Sequence, residues 1–126
     1  MSKKALEAAA VDFLQTSFNE GEPEKAVREY VGDKYIQHNP QVGDGADAFV
    51  GFVQSFRGQF PEMHLEVKRT ITQDDMVVTH SHLVPKPGGP GVAVADFFRF
   101  QGDKLVEHWD VIQNIPDDAA NSNSMF

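Results

Sequence analysis

Apolar positions recur every three or four residues through roughly the first sixty positions of this chain, and every second residue after that. Leu6, Ala10, Phe13, Leu14 and Phe18 fall on one stripe, which predicts a first helix from a Ser2 cap to about Asn19. Gly21 stops it, and Pro23 sits where a first-turn proline opens a short second helix to Val31, with Ala26, Val27 and Tyr30 on its apolar side. Tyr35 to Asn39 reads as a short strand ended by Pro40. Gly43-Asp44-Gly45 is a turn, after which Asp44 or Asp47 is the expected cap of a third helix from about Ala46 to Phe60. Phe49, Phe52, Val53, Phe56 and Phe60 form its stripe, and Pro61 ends it.

The rest alternates. Met63, Leu65, Val67 and Ile71 interleave with His64, Glu66, Lys68 and Thr70, and Gln73-Asp74-Asp75 makes a turn. Met76–Val84, Val92–Phe100 and Lys104–Gln113 are further strands, separated by the Pro- and Gly-rich loop 85–91 and by the turn Gln101-Gly102-Asp103. The order α-α-β-α-β-β-β-β predicts an α+β fold: a curved, mixed or antiparallel sheet wrapped over three N-terminal helices. Such a cone encloses a cavity between its layers, where small ligands bind. The expected organisation is one domain over residues 1–116 and a polar tail over 117–126.

Composition narrows the function. Ten Phe in 126 residues can line a core or a pocket. The formal charge of −8 argues against nucleic acid and against anionic membrane surfaces as partners. The absence of Cys excludes disulfides, thiolate nucleophiles and Cys-based zinc sites. Glu7 and Asp12 interrupt the apolar stretch a signal peptide needs, and no segment has the ~20 apolar residues of a membrane span. A cytoplasmic protein is the expectation.

The candidate chemistry is ionisable side chains on strands. Asp96 shares a strand face with Val92, Val94, Phe98 and Phe100, and burial there favours its neutral form. Alternation alone leaves open whether that face is the inner one, because Ala93, Ala95 and Phe97 are apolar too. His80 and His82 share one face of their strand, His108, Asp110 and Ile112 one face of theirs, and His38 ends the first strand beside Asn39. Four of five histidines therefore lie in strands that could line one cavity, and histidine is the side chain suited to proton transfer near neutral pH. A metal set of His80, His82 and His108 with Asp110 is a weak pattern, and neither metal nor cofactor is expected. There is no Gly-x-Ser-x-Gly elbow, and the glycines at 88, 89 and 91 precede a strand where a phosphate loop would need a helix.

Several stretches resemble the SnoaL-like polyketide cyclase family of the nuclear-transport-factor-2-like superfamily. They are Tyr35-Ile36-Gln37-His38-Asn39-Pro40, Gln59-Phe60-Pro61-Glu62 and Asp74 to His82. Most specific is Val94-Ala95-Asp96-Phe97-Phe98-Arg99-Phe100 followed by Lys104 to Gln113. The resemblance covers nearly the whole chain to Pro116. It implies a pocket-facing Asp96, inward His108, Asp110 and Ile112, an outward Trp109 and a homodimer. It also shows departures: Asn39 stands where the steroid isomerases have a carboxylate base, and the first helix lacks their tyrosine. The implied function is acid–base chemistry on a small apolar carbonyl compound (aldol-type cyclisation, isomerisation or dehydration). In the expected catalytic pair a histidine, His38 or His80, removes the proton and a neutral Asp96 donates to the enolate oxygen or exchanges a proton with it, while His82, His108, Asp110, Asn39, Phe98, Ile112 and Phe56 hold the substrate. The competing expectation is a non-catalytic ligand-binding or dimeric accessory protein of the same fold.

Overall fold

The computed structural model describes residues 2–126. The first element is α1 (Lys3–Leu14), capped by the Ser2 hydroxyl, which accepts from the Ala5 N–H. It does not stay α-helical to Asn19. Gln15–Asn19 form a π turn, which buries Thr16 and Ser17 and leaves Phe18 half-buried. Then come α2 (Pro23–Tyr30), β1 (Val31–Gln37), α3 (Ala46–Gln59), β2 (His64–Gln73), β3 (Met76–Val84), β4 (Val92–Gln101) and β5 (Lys104–Asn114).

The five strands form one sheet in the order β1-β5-β4-β3-β2. The pairs β2–β3, β3–β4 and β4–β5 are antiparallel, whereas β1 returns from the helical layer to pair in parallel with β5. The expected α+β order is thus the observed one, with a mixed sheet. The first strand starts four residues earlier than its sequence pattern suggests, because Val31 already pairs with Leu105 across an irregularity in the ladder.

The N-terminus of α3 departs from expectation in a way that serves the site. Neither Asp44 nor Asp47 caps it. Gly45 occupies the cap at φ 93, a left-handed conformation suited to glycine. Asp44 instead accepts the backbone N–H of Gln37 (2.9 Å), fastening the loop to the end of β1.

Helices and sheet meet in an aromatic core. Phe13 stacks on Phe49 (5.0 Å between centroids) and meets Phe98 edge-on (6.2 Å). Leu6, Ala10, Val53, Leu65, Val77 and Leu105 complete it. At the sheet edge, Asn19 supplies what a neighbouring strand would: its amide donates to the Leu65 carbonyl and accepts the Leu65 N–H, both at 2.8 Å. Residues beyond Asn114 form no helix or strand, but they lie back on the sheet: the Phe126 ring packs against His80 and His82, with the Lys68 ammonium over it. No helix among the described residues is long and apolar enough to cross a membrane.

Candidate active site

Strand register decides which side chains enter the cavity. On β4, Val94, Asp96, Phe98 and Phe100 are buried toward the helices, while Ala95, Phe97 and Arg99 are only partly covered. Asp96 stands opposite Asp110, and Phe98 opposite His108. The inner row of β1 is Tyr35 and Gln37, continued by Asn39 past the strand end. These residues, with Phe13, Phe18, Phe49, Phe56, Leu65 and Leu83, line a cavity of about 70 Å³. Val42, Phe52 and the exposed Ile112 complete its wall.

A hydrogen-bonded chain crosses the cavity wall. The His108 Nε2 lies 2.7 Å from Asp96 Oδ1, and both residues are almost fully buried, at 6% and 5% exposure. His108 Nδ1 lies 2.8 Å from Gln37 Oε1. That oxygen also accepts the backbone N–H of Asn39 (3.1 Å), which can only donate, so the orientation of the Gln37 amide is fixed. Nδ1 of His108 must then carry a hydrogen, and Nε2 and Asp96 share one proton between them. The same logic orients Asn39. Its Oδ1 accepts the Gln41 N–H (2.8 Å), so its Nδ2 faces and donates to both oxygens of Asp110, at 2.8 and 3.1 Å.

The electrostatics follow from burial. Desolvation raises the Asp110 pKa above the ordinary carboxylate range, with the Asp96 carboxylate adding to the rise; the Asn39 amide and His108 act against it. Tyr35 is pushed well above the usual phenol range, first by burial and then by the carboxylates of Asp96 and Asp110. Its ring stacks on the His108 imidazole at 6.3 Å and 15°.

Of the four histidines expected on one cavity, the structure brings only His108 there. His80 and His82 stand opposite Ala95 and Ala93 on the outer face, because Val77, Thr79 and Ser81 are the residues of β3 that point inward. His80 bonds to Arg69, and the His82 ring nitrogen bonds to the Pro90 carbonyl (2.7 Å). His38 is also turned outward. It stacks on Trp109 (4.7 Å, 2°) and bonds to Glu107 (2.7 Å), which Arg99 holds from its other oxygen (2.7 Å). These bonds keep the Glu107 carboxyl below its usual range, His38 contributing most.

Asp96, His108, Asp110, Asn39, Phe98, Ile112 and Phe56 do line the cavity. Gln37 and Tyr35 line it too and were not singled out by the sequence; sharing the parity of Asn39 was the available sign. The three-histidine metal set does not converge, since His80 and His82 lie across the sheet from His108. The donors that do converge are Asp96, His108 and Asp110, whose ligating atoms lie within 4.8 Å of one another. Their chemistry suits a divalent cation as well as a proton relay.

Comparison with known proteins bears on the fold and the family. The sequence profile of the SnoaL-like polyketide cyclase family matches residues 8–117. No curated protein sequence matches the chain significantly. Among solved structures, TsrD from Streptomyces laurentii superposes with a TM-score of 0.73 at 16% identity, covering 89% of this chain and 90% of its own. An uncharacterized cystatin-fold protein from Novosphingobium aromaticivorans gives 0.71 at 22% identity, covering 88% and 98%. Wild-type IdmH from Streptomyces antibioticus gives 0.68 at 19% identity, covering 85% and 91%. At these identities the likeness is one of fold.

Proposed function

This chain belongs to the SnoaL-like polyketide cyclase family, and from that we propose that it performs acid–base chemistry on a small, mostly apolar carbonyl compound held in the aromatic cavity. The observation that carries the reading is the buried Asp96–His108 pair, which shares one proton and opens on an apolar wall. A carboxylate and an imidazole sharing a proton beside an apolar wall form the kind of pair that general acid–base catalysis uses.

In this reading Asp96 is the group that meets the substrate. It removes a proton from the carbon next to the carbonyl, and the C–H electron pair moves onto the carbonyl oxygen as an enolate. His108, its tautomer set by Gln37, balances the charge on Asp96 through the shared bond. Return of the proton to another carbon gives isomerisation. Attack of the enolate carbon on a second carbonyl, whose alkoxide then takes the proton, gives an aldol. Protonation of a departing hydroxyl gives dehydration. Asp110, fixed by Asn39, orients a substrate hydroxyl. With His38 and His80 on the outer face, the base assigned to them from the sequence passes to this pair.

The outer face supports a second part of the proposal, a homodimer. Cross-strand partners build an apolar row over four strands, Ile71–Val78–Phe97–Trp109, and His38 stacked on Trp109 extends it over the fifth.

The reaction is tested in heavy water with a panel of enolisable ketones, following loss of the α-proton signal by NMR. Wild type is expected to exchange above buffer, and Asp96→Asn to fall by about 10²–10⁴-fold. Exchange that is absent in wild type, or equal in both proteins, removes the acid–base reading.

A further inference from the structure

Tyr35 carries a hydroxyl that its surroundings do not use. The residue is 4% exposed, and its oxygen is buried without a hydrogen-bond partner. A buried tyrosine normally finds one, and an orphaned hydroxyl costs stability that a phenylalanine in the same place would not. The Gln37 amide works against the rise in its pKa as a donor toward the phenol oxygen, though it stands outside hydrogen-bond geometry, and a donor there leaves the hydroxyl hydrogen without an acceptor. The acceptor oxygen of that amide is taken by His108 and by the Asn39 N–H.

The position of the ring gives the orphan a meaning. Tyr35 lines the cavity beside Asp96, His108 and Asp110, with its ring parallel to the imidazole. Most of the remaining wall is apolar, Phe13, Phe49 and Phe98 included, and Tyr35 brings the one hydroxyl among the lining residues. We infer that the Tyr35 hydroxyl is the donor that receives the oxygen of the ligand, so that the ligand completes a hydrogen bond the empty protein leaves open. The ligand class this selects is a planar or near-planar apolar body bearing a carbonyl or enol oxygen.

This inference rests on the acid–base reading of the cavity and adds a separate residue to it. Asp96 takes the proton from carbon, and Tyr35 stabilises the oxygen onto which the electron pair moves. The raised pKa keeps the phenol protonated throughout the working range, so it donates and does not compete as a base. No proton need leave Tyr35 for the step to balance.

The test uses 1-indanone, a near-planar enolisable ketone, labelled with ¹³C at its carbonyl and titrated into the intact protein. In wild type the bound carbonyl resonance is expected to move downfield, as it does on accepting a hydrogen bond. In Tyr35→Phe it returns toward its free position, and α-proton exchange in heavy water slows by about 10²-fold. In Asp96→Asn the downfield shift persists while exchange is lost. The melting temperature of ligand-free Tyr35→Phe is expected to equal or exceed that of wild type, because the change deletes an unpaired buried hydroxyl.

Wild-type exchange with a carbonyl shift that survives in Tyr35→Phe overturns the role of Tyr35 and leaves the acid–base reading standing. The same holds if the shift vanishes in Asp96→Asn instead, which would make Asp96 the donor. A lower melting temperature in Tyr35→Phe would show that the hydroxyl has a structural partner and also overturns it. No exchange and no shift in wild type overturns both.

Discussion

At the scale of single residues the site is a set of ionisable groups held apart in role by their partners. Asp110 illustrates the energetic side. Its pKa is raised chiefly by desolvation, so ionising it costs more in the folded chain than in the unfolded one. A raised folded-state pKa contributes stability that is full below the unfolded value and is lost as pH rises through the folded one. Asp110→Asn removes this loss while keeping an oxygen for the Asn39 amide. The variant is therefore expected to gain on wild type as pH rises from about 3 to 7, with 3.9 the ordinary Asp value. Paired thermal melts across that range measure it; a difference that stays flat or shrinks would show that Asp110 is not paying for its burial. The two tyrosines offer a spectroscopic counterpart. Burial and the Asp12 hydrogen bond push Tyr30 up to about 12, and Tyr35 lies beyond it. Alkaline difference spectra should therefore show no tyrosinate signal at pH 10, where a free tyrosine is half ionised.

Elements decide which residues reach the site, and here sequence and structure part company for identifiable reasons. The helical stripe and the alternating strands were legible, because burial of one face leaves a period in the chain. The facing of β3 was not. Its two rows, Met76-Val78-His80-His82 and Val77-Thr79-Ser81-Leu83, are each partly apolar and partly polar, so alternation does not say which is inner. The tie is broken only by pairing with β4, which sets Thr79 opposite Asp96. Gln37 was silent for another reason: its meaning lies in a bond to His108, 71 residues away. Asn19 is a third case. It ends the helical stripe, yet its amide serves as a strand for β2, with two bonds to Leu65. Asn19→Ala leaves the nearly buried Leu65 backbone without both partners. The expected loss is about 2 kcal/mol, at roughly 1 kcal/mol for each bond. Urea unfolding would measure it as a lower midpoint at unchanged slope, and an unchanged midpoint would mean that water replaces the amide without cost.

For the whole molecule, the two faces of one sheet have different work. The inner face carries the polar chain set in aromatic walls, and the outer face carries the row Ile71–Val78–Phe97–Trp109, with Ile71 64% exposed. Val111, also 64% exposed, lies beside it and with Met76, Phe97 and Trp109 borders a shallow apolar groove. A contiguous apolar surface of this kind is costly to leave in water, and in the proposed dimer a second copy of the chain would cover it symmetrically. The net charge of −8 opposes that pairing, since both copies repel. The proposed dimer should therefore tighten with added salt, which screens the repulsion and leaves the apolar contact intact. Val111→Asp places a carboxylate in the groove of each copy and changes little in the monomer, where the side chain is already exposed. Sedimentation velocity is expected to show a wild-type dimer that Val111→Asp converts to monomer, with melting of the isolated monomer little altered. A wild-type monomer at all salt concentrations would end the dimer proposal. The same experiment bears on the site, because Trp109 holds His38, and His38 and Asn39 adjoin at the end of β1. Asp110 borders the same groove as Val111, so if pairing steadies that end of the strand, dissociation should slow α-proton exchange through a weaker hold on Asp110. A monomeric variant with full exchange would separate assembly from chemistry and make each protomer a complete enzyme by itself.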